Sequence, residues 1–330
     1  MSMSSQHLSD SLISAARAAL LGLAVGDAPL GVPVEFAPRA ARTKDPVTGM
    51  RAYGTHRQPA GTWSDDASLS FCTAETLAGK GDTVDAASRF RRWYEESYWT
   101  AHGKVFDVGI ATAEALQRLK RGASPASSGG NGEFDNGNGS LMRILPLAFP
   151  ARALSLAERF ALVRAYSAIT HAHIRSVLGC FIYVEMATQL LAGAEKQAAY
   201  STMQRTVREF VMANHFASEV ELRHYHRILE IPYGDFEPQQ LQQCGESEIR
   251  SSGYVVHTLE AALWCLLKHD TYAATVLAAV NLGDDTDTTG AVAGGLAGLA
   301  YGEAAIPAEW LQVLARRADI EDLARRLAGA

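Results

Sequence analysis

The feature that most constrains this chain is the stretch GDDTDTT, Gly283 to Thr289. It packs three carboxylates and three hydroxyls into seven residues. Ala-rich sequence (Ala273 to Val280) precedes it, and small apolar residues (Ala291 to Tyr301) follow. Like charges this close repel, and are tolerated together where they face water or surround a cation. A solvated acidic loop is the plain reading of such a cluster standing alone. The apolar flanks point instead to a cluster held among buried helices, where carboxylates need partners. Hard oxygen donors at this density suit Mg²⁺, Mn²⁺ or Ca²⁺ rather than Zn²⁺.

A second motif of the same chemistry lies far upstream, in GTWSDDASLS. Ser64, Asp65 and Asp66 stand at the entrance to an apolar helix. A hydroxyl and acidic side chains at a helix start are ordinary N-cap chemistry. One cap needs one such side chain, however, and this motif repeats the donor set of the Asp285 cluster. If helices bring the two motifs together, Ser64, Asp65, Asp66, Asp285, Asp287 and Thr288 supply four carboxylates and two hydroxyls. That set can hold one or two divalent ions, the pair separated by roughly 3.5–4 Å and able to polarise a substrate hydroxyl or activate water.

Between the motifs the pattern is helical, and period-two strand alternation is almost absent. Ser9 to Gly26 reads as a helix capped by Ser9 or Asp10. Gly26 to Phe36, with two Gly and two Pro, reads as a loop carrying Asp27 and Glu35. For Asp27 a turn carboxylate and a site residue are equal readings. Arg39 to Ala60 reads as polar loop. Asp82 to Tyr98, with Thr83 as cap, and Asp107 to Lys120 read as helices, and Trp93, Tyr94, Tyr98 and Trp99 read as core or pocket wall. Gly122 to Gly139 has the composition of a flexible linker, but not of a domain boundary. Its GNG turn before Arg143 is a weak phosphate-cradle signal. Ser155 and Glu158 form a capping-box pattern. THAHIR opens the helix that runs through Ala192, with His171 readable as site residue or cap contact. Glu219 to Arg227 reads as a solvated face and Tyr233 to Ser252 as a second polar loop. Ser251 to Leu267 is a buried helix, Asp270 caps the one after it, and Pro307 opens a tail of two short amphipathic helices.

Of the 330 residues, 48% are hydrophobic and 20% charged, ample for a core, and the net charge of −6 disfavours general nucleic-acid binding. The N-terminus is a poor signal peptide, and no uninterrupted membrane-spanning run is evident. The four scattered cysteines fit a reducing cytoplasm. DTDTT also matches a DxDxT phosphatase nucleophile motif, which would need a strand before it and an α/β domain after it.

Five stretches, in order, resemble the ADP-ribosylglycohydrolases, the family that includes dinitrogenase-reductase-activating glycohydrolase and the ADP-ribosylarginine hydrolases. They are GLAVGDAPLGVPVEF, TWSDDASLS, GNGSLMRILPLAF, THAHIRS and GDDTDTTGAVAGGLAGLAYG. FDVG and SSGYVVHTLEAALW add weaker support. The resemblance implies an all-α, orthogonally packed single domain over residues 1–330. Its motif-bearing core covers about 12–302, and 303–330 form a helical tail. It implies two Mg²⁺ or Mn²⁺ ions and hydrolysis of the bond joining ADP-ribose to a protein side chain, arginine first among the linkages. By motif position, Ser64, Asp65, Asp66, Asp285, Asp287 and Thr288 match the metal ligands, with Asp65 and Asp66 also in the catalytic set. Glu35 matches the catalytic glutamate. Asp107, Asn138, Gly139, Ser140 and His171 fall in substrate-binding segments. Pro29 adds a residue to the usual GDALG turn, Asp284 replaces the usual Gly, and Ser64 stands where Thr is common. The implied partners are an ADP-ribosylated protein and a cognate ADP-ribosyltransferase, which an antitoxin of this fold would counter by hydrolysis or docking. A non-catalytic ADP-ribose-binding protein is the remaining alternative.

Overall fold

The computed structural model describes residues 3–232 and 239–329, with side chains from residue 10 onward except that of Pro29. Among these residues the architecture is all-helical, with three isolated bridges and no strand. The helix before GDDTDTT, Tyr272–Asn281, removes the strand that a DxDxT phosphatase requires.

Thr286–Tyr301 is the hub. Every residue from Thr286 to Gly298 is buried. Around it pack Met3–Val25, Val255–Lys268, Tyr272–Asn281 and Ile174–Leu191. The small residues that flank the acidic motif explain the closest of these contacts. A Cβ on Gly26 would lie 2.0 Å from the Gly290 carbonyl oxygen, and one on Gly294 would lie 2.3 Å from that of Gly22. Only bare backbones approach this closely, so the first helix lies directly on the hub. The C-terminal helix Arg317–Ala328 closes the other side of the first helix, and Arg17 bridges to Glu303 at 2.8 Å and Glu321 at 3.3 Å. One apolar cluster extends from Ala16 to Ala328.

Several local readings are corrected. The first helix begins at Met3, so Ser9 and Asp10 lie inside it. Gly26–Phe36 is not a plain loop: Gly26–Gly31 is a π-turn and Val32–Val34 a 3₁₀ turn. An i→i+5 turn accommodates one more residue than an α-turn. Arg39–Lys44 is a short helix within the expected loop. Asp82, not Thr83, caps Thr83–Glu96 by accepting from the Val84 and Asp85 amides. Asp107 lies outside its helix, which starts at Ile110. Thr271 caps Tyr272–Asn281, because Asp270 instead takes the Lys196 ammonium at 2.8 Å. The Ser64 cap and the Ser155–Glu158 capping box form as expected.

The Gly-rich stretch 122–139 is built into the body. It holds the short helix Pro125–Ser128. Gly129 and Gly130 donate to the Ala168 and Thr170 carbonyls at 3.0 and 3.1 Å, and Asn138 to that of Gly253 at 3.0 Å. The expected loop 233–252 lies partly outside the described residues; its remainder contains two 3₁₀ turns. Within the expected solvated face, Glu221 is instead paired with Arg175 and Arg227 with Glu260. Asp10–Val34 and Ile174–Leu191 are long and apolar enough to cross a membrane by length and composition, contrary to expectation. Both are mostly buried inside the protein.

Candidate metal centre and substrate cleft

The two acidic motifs meet. Each stands at the N-terminus of a buried helix, Asp65–Ala78 for one and Thr286–Tyr301 for the other. The positive ends of both helix dipoles therefore point at the same carboxylates. Thr288 Oγ1 lies 3.5 Å from Asp66 Oδ2. Carboxylate oxygens of Asp27, Asp66 and Asp287 lie within 4.8 Å of one another, as do those of Glu35, Asp285 and Asp287.

Local chemistry sets each side chain. Ser64 Oγ accepts from the Asp66 amide at 3.2 Å and donates to Asp66 Oδ2 at 3.0 Å. Asp27 accepts from the Ser64 and Ala67 amides at 3.0–3.1 Å, so it caps the same helix from across the molecule. The close glycine crossing of the first helix on the hub brings Asp27 to this position. On the other strand of the centre, Phe36 N donates to Asp284 O at 2.7 Å and Asp284 N to Ala37 O at 2.8 Å. That pair of bonds ties Glu35 to Asp285. Phe36, Asp107 and Asp284 all have left-handed backbones, at φ 62°, 52° and 57°. Non-glycine residues adopt this conformation infrequently and at a cost; here Phe36 and Asp107 line the cleft, and Asp284 directly precedes Asp285. The Asp284 value also explains the departure from glycine: the position needs left-handed φ, which Asp tolerates.

Asn138 Nδ2 donates to Asp285 Oδ2 at 2.9 Å and to Thr258 Oγ1 at 2.8 Å. With these bonds in place, Asp66 Oδ1, Asp285 Oδ1 and Asp287 Oδ2 remain buried without any hydrogen-bond donor. Among the described residues, no Lys or Arg pairs with them. Burial, then neighbouring carboxylates, pushes Asp65, Asp66 and Asp287 well above the usual carboxylate range. Burial raises Asp27 to about 7 despite its backbone donors. Glu35 is pushed up to about 10 by burial and by Asp107, Asp285 and Asp66. Three orphaned oxygens among all-oxygen donors are what a hard divalent cation satisfies, so these residues fit a metal centre.

Above this floor opens a cleft of about 480 Å³ lined by Glu35, Phe36, Asp65, Asp66, Asp107, Asn138, Gly139, His171, Asp285 and Thr288, among others. It is large enough for a nucleotide-sized ligand. His171 resolves to a buried wall residue: its Nδ1 pairs with Thr170 Oγ1 at 2.7 Å, and burial lowers it to about 3, so it is neutral. Gly139 must be glycine, since a Cβ there would lie 2.8 Å from the His171 ring. Ser140 lies behind the wall, fully buried, with Cys180 Sγ at 3.3 Å and the Ser167 hydroxyl at 3.0 Å, and does not border the cleft. Arg143 is turned to the Gly139 and Tyr166 carbonyls and lies over the Phe90 ring, so it offers the cleft no cation.

Of the residues at the centre, the sequence left one open and gave no sign of another. Asp27 read equally well as a turn carboxylate. His56, whose Nε2 contacts Glu35 Oε2, lay in a polar stretch with no spacing signal to mark it.

Residues 8–330 match the family model described as ADP-ribosylglycohydrolase. The ADP-ribosylarginine hydrolase Tri1 of Pseudomonas putida is 35% identical over 94% of this chain and 77% of its own length. The ADP-ribosyl-[dinitrogen reductase] glycohydrolase of Rhodospirillum rubrum is 32% identical over 92% of this chain and 91% of its own. A solved structure titled ADP-ribosylglycohydrolase-related protein complex superposes with TM-score 0.77 at 33% identity, covering 97% of this chain and 99% of that one.

Proposed function

This chain belongs to the ADP-ribosylglycohydrolase family, and from that premise we propose that it hydrolyses the N-glycosidic bond between ADP-ribose and arginine side chains of modified proteins. The observation that carries the reading is the meeting of Ser64–Asp66 with Asp285–Thr288 around three carboxylate oxygens that no donor among the described residues satisfies. Arginine is preferred among linkages because the relatives named for it share the most residues with this chain among those given above.

Ser64, Asp65, Asp66, Asp285, Asp287 and Thr288 are the proposed ligands of two Mg²⁺ or Mn²⁺ ions, with Asp27 joining them through the Asp66–Asp287 side. Bound there, such ions supply Lewis acidity toward a sugar diol and a nearby water. Asn138 orients Asp285 by donating to Oδ2. Glu35 is the proposed proton-handling residue. It borders the cleft, and its burial beside Asp107, Asp285 and Asp66 raises its affinity for a proton. It can give that proton to the departing guanidine nitrogen as the C1″–N bond breaks, and recover one from the water whose oxygen bonds to C1″. The surrounding carboxylates, Asp65 and Asp66 included, favour positive charge developing on the ribose. Asp107, Asn138, Gly139 and His171 are proposed to shape the ADP-ribose site; Ser140 supports that wall from behind.

The substrate is the product of an ADP-ribosyltransferase, so we propose such an enzyme as counterpart, acting in the cytoplasm, where four free buried cysteines are at home. Residues 1–330 are proposed to work as one unit. The test is a panel of arginine-, serine- and aspartate-linked ADP-ribosyl proteins, each with Mg²⁺ and with EDTA. Release from arginine alone, lost in EDTA and in Glu35→Gln, is the expected result. Faster release from serine or aspartate would reassign the linkage, and full turnover by Glu35→Gln would move the proton role elsewhere.

A further inference from the structure

Glu35 is a difficult side chain to keep aimed into the cleft. Its carboxyl group is buried and crowded by those of Asp66, Asp107 and Asp285. The residue after it, Phe36, is exposed and left-handed, so the backbone there is not held by a regular helix. One segment counters this. Residues 53–58 form a tight turn, closed by Tyr53 N donating to Gln58 O at 2.6 Å. The turn is fastened to the backbone just before Glu35. Thr55 N donates to Pro33 O at 3.1 Å, and Gly54 passes so close that a Cβ there would sit 1.8 Å from the same oxygen.

The turn then reaches Glu35 at both ends. Thr55 Oγ1 donates to its main-chain carbonyl at 2.8 Å. His56 Nε2 shares a hydrogen bond with its carboxylate oxygen Oε2. The imidazole itself is steadied by ring contacts, with centroids 5.2 Å from Phe106 and 6.0 Å from Phe36.

We infer that His56 is a positioning residue for the hydrolysis: from a turn anchored on Pro33, it holds the Glu35 carboxyl group in its working rotamer through the Nε2–Oε2 hydrogen bond. The inference rests on the reading of Glu35 as the proton-handling residue. His56 need not touch ADP-ribose; it acts through Glu35.

The test compares kcat and KM of the full-length protein on ADP-ribosylated arginine protein with saturating Mg²⁺. His56→Phe keeps an aromatic ring against Phe106 and removes the nitrogen. Its kcat should fall about 10²-fold with KM within about twofold, the scale expected when a catalytic group is misplaced by an ångström or so. His56→Gln restores an N–H near the Nε2 position and should recover most of that loss. In the Glu35→Gln background, His56→Phe should cost nothing further, since a residue acting only through another has no effect once that partner is gone. Wild-type kcat in His56→Phe, equal losses in the Phe and Gln variants, or an undiminished loss in the Glu35→Gln background would each overturn the inference. The two readings fail differently. An active Glu35→Gln removes the premise, whereas an inactive Glu35→Gln beside a fully active His56→Phe removes only the role of His56. Should His56→Phe not fold, His56→Ala and His56→Gln make the same comparison.

Discussion

Carboxylates are buried in two ways in this protein. Glu185 is fully buried in the helix Ile174–Leu191, and Arg159 reaches it at 2.9 Å. Glu260 is buried in Val255–Lys268 and meets Arg227 at 2.7 Å. Beneath the cleft, Asp27, Asp65, Asp66 and Asp287 are buried together, with half-buried Asp285 beside them and, among the described residues, no arginine paired with them. The buried guanidinium of Arg143, beside the cleft wall, is turned to carbonyl oxygens. The same chain therefore supplies a cation of its own where a carboxylate is structural, and withholds it where the carboxylates line a cleft. A centre left uncompensated by the fold is compensated from outside, and its stability and activity should both follow the supply of divalent ions.

The largest effect should come from breaking the uncompensated side. Asp65→Asn and Asp285→Asn should each lower Mg²⁺-dependent release of ADP-ribose by about 10³-fold or more. Circular dichroism should show the helices intact, and melting in EDTA should be no lower than wild type, because each change replaces an ionisable group whose charged form burial disfavours. Full activity in both variants would sink the metal assignment.

On the compensated side the same logic predicts the reverse: a stability loss and little else. Arg159→Ala leaves Glu185 buried without a cation. Breaking such a pair costs about 3–5 kcal/mol, and the partial exposure of Arg159 puts it at the lower end. Denaturant unfolding should show this, while kcat on the surviving folded protein is unchanged. A stable Arg159→Ala would mean that Glu185 is satisfied in some other way, and the contrast would weaken.

The acidic centre should also respond to pH, and in opposite senses with and without the ion. In the cation-free protein, Asp27 at about 7, Glu35 at about 10 and the raised Asp65, Asp66 and Asp287 all bind protons more tightly folded than unfolded. That contribution to stability is complete below the unfolded carboxylate range near 4. It is lost as pH rises through the folded values. Each titrating carboxyl then removes up to about 1.4 kcal/mol per pH unit. Melting in EDTA should therefore fall between about pH 5.5 and 8.5, whereas saturating Mg²⁺, which needs ionised ligands, should reverse the slope. Equal slopes in EDTA and Mg²⁺ would show that the carboxylates do not bind the ion.

How far this contrast was legible in the sequence depends on what kind of contact carries it. Ser64–Asp66 and Asp285–Thr288 were readable because oxygen donors at a helix start are a local pattern, and the apolar flanks of each said which helices were buried. The glycines of the hub were equally visible as composition, but their pairing with Gly22 and Gly26 is a contact across more than 260 residues that no spacing reports. Asp27 was ambiguous for the same reason, since its role as a cap lies on a helix it does not belong to. The π-turn was misread because Pro and Gly argue against an α-helix, and say nothing about a wider turn that tolerates both. His56 was unmarked: a lone histidine in a polar stretch acquires meaning only when its turn folds back on Pro33 and Glu35.

The smallest effect should come from within the acidic motif itself, and it gives the sharpest form of the comparison. Asp284 sits next to Asp285 in sequence, yet it is exposed, does not border the cleft and has a left-handed backbone. Its charge is compensated by water, which makes it neither a structural carboxylate nor a member of the centre. Asp284→Asn keeps a side chain that tolerates the left-handed region, and Asp284→Gly removes the backbone cost altogether. Both should stay within about 1 kcal/mol of wild type in unfolding and leave the Mg²⁺ dependence of turnover unchanged. A neighbour one residue away would then separate position in the sequence from position in the fold. If either substitution weakened the response to Mg²⁺ as much as Asp285→Asn does, proximity in sequence would be enough to explain the acidic motif, and burial without a cation would lose its place as the cause.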